Sequence, residues 1–138
     1  MRRLHSAVTL TVLALAFGGC TAQTSTSAGD FKGDEADVAQ VVDDLQSAGQ
    51  KADGEEICTK LLAKELADSL KVGDSSCTDQ MQEAIQDVND FELEVTDVTV
   101  SGATAQAKVR QGDGDDAKTA TFEFAREGKT WRATSLGA

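Results

Sequence analysis

Three cysteines, a surplus of acids and the near absence of histidine set what chemistry this chain can do. The cysteines are Cys20, Cys58 and Cys77. None sits in a C-x-x-C motif and no basic residue flanks Cys77, so thiol–disulfide catalysis is disfavoured. No further Cys or His completes a zinc shell. The sole histidine, His5, falls in an amino-terminal segment that reads as an export signal, and tyrosine is absent. The exported chain would lack the commonest general base near neutral pH, and Ser/His/Asp nucleophile activation is excluded. The acids do not assemble a site either. Asp113, Asp115 and Asp116 suggest calcium, but counting Asp113 as position 1 puts Phe124 where an EF-hand loop needs Glu. Gly112 and Gly114 lack the following helix that a phosphate cradle requires. Asp97 and Glu123 fall on the outward parity of predicted strands. No catalytic residue, metal ligand or cofactor is expected.

Charge narrows the partners. The 138 residues carry 13 Lys plus Arg against 24 Asp plus Glu, a net charge of −11. Removing residues 1–19 takes Arg2 and Arg3 and no acid, leaving 11 basic against 24 acidic residues, or −13. That balance argues against nucleic acid, which demands a basic footprint, and against adhesion to anionic lipid through a polybasic patch.

Met1-Arg2-Arg3 is followed by an apolar run, Ala7 to Phe17, of 11 residues. A spanning helix needs about 20, so the pattern reads as a secretory signal. The run ends Phe17-Gly18-Gly19-Cys20, which resembles the lipobox of bacterial lipoproteins, with Phe17 departing from the usual aliphatic residue. The resemblance implies a signal peptide over 1–19, acylation of Cys20 and a membrane partner reached through a lipid anchor. The expected location is the outer face of the cytoplasmic membrane. Thr21 to Gly33 is small and polar and reads as a flexible tether, so 20–33 is assigned to anchor and tether and 34–138 to the domain. With Cys20 acylated, Cys58 and Cys77 remain as a pair, and in an exported chain a disulfide is the default.

The elements follow from periodicity. Val38, Val41, Val42, Leu45 and Ala48 form one stripe, which predicts a helix over Asp34–Ala48 with Gly49 as its stop. Asp53 and Glu56 have the spacing of a capping box for a second helix bearing Ile57, Cys58, Leu61 and Leu62. Leu66 and Leu70 continue it, as one helix or as two short ones. A third helix is expected over Thr78–Val88, capped by Ser76 or Thr78, with Met81, Ala84, Ile85 and Val88 inward. Downstream the apolar period becomes two. Phe91, Leu93 and Val95 give way to Val98 and Val100, and the slip of phase places a bulge at Thr96-Asp97. Ala103, Ala105, Ala107 and Val109 mark a second strand, Ala120, Phe122 and Phe124 a third, and Trp131 and Ala133 a fourth.

Three helices followed by a bent four-stranded antiparallel meander resemble the NTF2-like (cystatin-like) cone, an α+β fold. The helix over Asp34–Ala48, G-E-E-I-C at Gly54–Cys58 and G-K-T-W-R-A-T-S-L at Gly128–Leu136 carry the resemblance, and small exported actinobacterial members look similar. It implies a cavity at the open end of the cone, with Phe122, Phe124 and Trp131 as candidate lining. The fold serves enzymes and binding modules alike. The expected function is an anchored, non-enzymatic module that binds an envelope protein or a small apolar ligand. The alternative is a small enzyme with an Asp base in the cone.

Overall fold

The computed structural model describes residues 27–86, 88 and 91–137. The export signal, Cys20 and the start of the tether lie outside the described residues. Helix α1 (Asp34–Gln50) and the helices α2 (Gly54–Glu56), α3 (Lys64–Ser69) and α4 (Cys77–Gln86) precede a sheet of β1 (Leu93–Ser101), β2 (Thr104–Gln111), β3 (Lys118–Glu127) and β4 (Thr130–Ser135). The strands lie in sequence order, each antiparallel to the next. The architecture is α+β, helices covering one face of a bent meander, as the resemblance implies.

The sheet follows its alternation. Leu93, Val95 and Val98 are buried, and the pairing with β2 shifts between Val95 and Asp97, where the phase of the sequence slips. Ala105 faces Phe124, and Ala107 faces Phe122. The alanine row leaves space beside the two rings, which are 1% and 2% exposed. Small opposite large fills the layer without a void.

Val38, Val42, Leu45 and Ala48 of α1 are buried in the same cluster, and three acids in its first turn suit the helix dipole. Gly49 does not stop the helix. The chain turns two residues beyond Gln50, at Ala52, whose φ is +53°. Asp53 Oδ1 then accepts from the Glu56 amide at 2.9 Å, as the capping spacing predicts. Helix α2 runs directly into a wide π turn over Ile57–Leu61. Leu62 and Ala63 are extended, so Leu66 and Leu70 belong to a separate element. Leu62 bridges Ala133 in parallel, and the Ala63 amide donates to Ala133 O at 2.8 Å. This tertiary pairing interrupts the apolar helical period. Arg132 closes the junction, its Nη1 donating to the carbonyls of Thr59 (2.9 Å) and Leu62 (3.3 Å).

Cys58 and Cys77 are bonded, with their Cα atoms 6.1 Å apart, and join the π turn to the start of α4. Ser76 caps α4. Its Oγ accepts from the Asp79 amide, and the Asp79 carboxylate accepts from the Ser76 amide and hydroxyl. Gly54 lets α2 and α4 meet closely, because a Cβ there would lie 3.0 Å from Thr78 O and 3.1 Å from Gln82 N. Gln82 Nε2 donates across the same contact to Ala52 O at 2.7 Å.

Part of the stretch read as tether belongs to the folded body. Ser27 is buried, and Ala28–Asp30 form one 3-10 turn against α1. Asp43 accepts from the amides of Ser27 and Ala28, each at 2.9 Å. Ser27 Oγ in turn accepts from the Val95 amide at 2.9 Å, and Gln46 Oε1 accepts from the Leu93 amide at 2.6 Å. Strand β1 is an edge strand, and side chains satisfy these two amides where another strand would otherwise add. A polar segment without periodicity gives no sign of this, since the lock depends on residues 16 and 68 positions away.

Candidate functional site

Helix α4 carries an apolar stripe at Met81, Ala84, Ile85 and, beyond its last turn, Val88. The spacing predicts that all four face inward. Ile85 is buried and Met81 half-buried, but Ala84 is exposed and Val88 is 44% exposed. Instead of being covered along its length, the stripe forms one wall of an open cleft. Leu45 of α1, Leu93 at the start of β1, Phe122 of β3 and Leu136 complete the apolar surface. The cleft measures about 360 Å³, toward the lower end of the roughly 300–1,000 Å³ typical of ligand pockets.

Phe91 sets one side. Its half-buried ring packs over Gly49, and a Cβ at position 49 would meet Cε1 at 2.5 Å and Cγ at 2.8 Å. Gln50 Nε2 donates to Phe91 O at 3.3 Å, which holds the backbone beneath the ring. Glu92, Gln111 and Gly112 supply the polar rim, and the Gly112 amide donates to Glu92 O at 3.0 Å. Among the described residues Glu92 is the one ionisable member of the lining, and no Lys or Arg contributes.

The three aromatics singled out in the sequence border different spaces. Phe122 lies in the wall of the apolar cleft. Phe124 reaches the floor of a polar depression among Thr99, Thr104, Gln106, Glu123 and Thr134. Trp131 touches a shallow groove with Asp37, Gln40, Lys60 and Lys129. Trp131 is 4% exposed, and the Arg126 guanidinium sits 4.7 Å above its ring. Arg126 also pairs with Asp34 at 2.5 Å, which ties β3 to the first turn of α1. Core packing and a cation–π contact account for the tryptophan. The residues that sequence reasoning missed are Phe91 and the exposed end of the α4 stripe. Their signal is the apolar period itself, which does not separate a cleft wall from core.

A further depression lies beside the disulfide, bordered by Lys64, Lys71 and Arg132. These cations are already paired. Lys64 and Lys71 both bond Asp68, and Arg132 Nε lies 3.1 Å from Glu127. The hydrogen bond from Lys64, then that from Lys71, lowers the Asp68 pKa to about 2.

The other acids considered from the sequence do not converge on a site. Asp97 and Glu123 are exposed. Asp43 is the buried carboxylate among the described residues, and each of its oxygens accepts a backbone amide. At the β2–β3 tip, Asp113 accepts from the Gly114 amide and Arg110 donates to Gly114 O, so these groups close a turn. Among the described residues no group of three or more His, Cys, Asp or Glu side chains is placed to hold a metal ion.

No protein-family model matches the chain. No curated protein is similar to it. Among solved structures, one titled as a variant of Rd1NTF2_05 is similar to it, with 10% identity and a TM-score of 0.49. The likeness covers 73% of this chain and 95% of that one.

Proposed function

We propose that this chain is an exported NTF2-like module, held to the outer face of the cytoplasmic membrane by lipid on Cys20, that binds a small apolar ligand between α4 and the sheet. The observation that carries the binding reading is the uncovered apolar stripe. Val88 is 44% exposed and Ala84 stands open beside Met81 and Ile85, opposite Phe91 and Leu136. An apolar surface that folds into a cleft and stays open to solvent is a ligand site by default. The lipobox-like Phe17-Gly18-Gly19-Cys20 and the Cys58–Cys77 bond support export. The reading is one of binding without chemistry. The buried carboxylate Asp43 is taken by backbone amides, and among the described residues the cleft lining offers Glu92 alone as an ionisable group.

The test is calorimetric titration of a neutral twelve-carbon alcohol into the mature chain, residues 20–138, carrying Cys20→Ala, which has neither the lipid nor the apolar signal segment. Saturable binding is expected, and Ala84→Trp, which fills the mouth of the cleft from an exposed helix position, should abolish it without lowering the melting temperature. Binding that is undetectable in the parent, or unchanged by Ala84→Trp, would refute the site.

A further inference from the structure

Resting on the reading of the cleft as a ligand site, we infer that it selects apolar ligands with a positively charged head over anionic ones. An apolar wall fixes the body of a ligand and says nothing about its head. The rim decides that, and here the rim is one-sided. Among the described residues lining the cleft, Glu92 is the ionisable one, with Gln111 and the Gly112 backbone as neutral neighbours. No Lys or Arg is among the described lining residues, although the chain has 13 of them.

Four of the basic residues are engaged away from the cleft. Lys64, Lys71 and Arg132 cluster beside the disulfide, and Arg126 is paired with Asp34 over Trp131. A carboxylate or sulfate head at the cleft mouth would therefore meet Glu92 with no counter-charge within the site. The background field, at −11 for the chain, has the same sign. An ammonium head would pair with Glu92 and could also rest on the half-buried Phe91 ring, whose face attracts cations. The partner class is a single-chain or compact apolar molecule carrying an amine or quaternary ammonium.

The experiment compares three probes of equal chain length, each below its micelle concentration: dodecyltrimethylammonium, dodecanoate and dodecanol. They are titrated into the mature chain, residues 20–138, carrying Cys20→Ala, at low ionic strength and pH 8. The expected order is ammonium tightest and dodecanoate weakest, with a difference of about tenfold that shrinks as salt is raised. Glu92→Gln should bring the charged probes together, whereas Glu65→Gln on exposed α3 should leave the difference in place. Alcohol binding with equal or tighter binding of dodecanoate would overturn the inference and leave the cleft standing. A cation preference that survives Glu92→Gln would overturn it too, assigning the effect to net charge. Failure of all three probes would remove the cleft reading and the inference with it.

Discussion

The Phe91 ring occupies the space that a side chain at Gly49 would need. A Cβ at position 49 would approach Cε1 and Cγ of Phe91 to 2.5 and 2.8 Å, distances at which something must move. Gly49 is buried inside α1 and its helix continues past it. Its role is the close approach of a ring that walls the cleft, not the end of a helix.

Gly49→Ala sets two effects against each other. Alanine favours a helix by about 1 kcal/mol over glycine, while overpacking typically costs about 1–3 kcal/mol. Net destabilisation is expected by chemical denaturation, with weaker probe binding as Phe91 is displaced. The pair should couple: in a Phe91→Ala background, Gly49→Ala should become neutral or stabilising. A destabilisation unchanged by Phe91→Ala would show that the ring is not what the methyl meets.

Asp43 is a second long-range tie. Asp43→Ala leaves the amides of Ser27 and Ala28 without their acceptor, and a buried unsatisfied donor costs about 1–3 kcal/mol. The melting temperature should fall, and hydrogen exchange should rise at Ser27, Ala28 and Val95, because Ser27 Oγ serves the Val95 amide. Exchange at Val95 unaltered by the substitution would contradict the lock.

These two ties mark where the sequence stops being readable. Alternation placed the four strands, the bulge after Val95 and the inward Ala105, Ala107, Phe122 and Phe124, because a one-sided sheet imposes period two on any chain that forms it. Local spacing likewise marked the Asp53–Glu56 cap, while the Cys58–Cys77 pair followed from setting Cys20 aside in an exported chain. The stripe on α4 was legible as apolar, but periodicity cannot say whether the facing element is long enough to cover it. Ala84 and Val88 were therefore expected in the core and stand in the cleft. The bridge of Leu62 to Ala133, the ring over Gly49 and the Ser27–Asp43 contact all join residues distant in sequence, where no local rule applies.

The disulfide closes a loop with a separation of 19 residues, for which loop-closure entropy gives about 3 kcal/mol. Cys58→Ser with Cys77→Ser should lower the denaturation free energy by that order and loosen α4, the helix that walls the cleft. Equal stability of the oxidised and reduced protein would show that the bond is dispensable.

If Cys20 carries the proposed lipid, Cys20→Ala is expected to release the protein from the membrane fraction into the medium, because the substitution removes the site of the anchor. Membrane retention equal to the parent's would contradict lipidation at that residue.

The central claim is that the open stripe on α4 is a binding wall. Methyl-resolved NMR during titration with dodecanol tests it most directly. Saturable shifts are expected at Leu45, Met81, Ile85, Val88, Leu93 and Leu136, which line the cleft. No shifts, or shifts centred on Thr99, Thr104 and Thr134 of the separate polar depression, would contradict it.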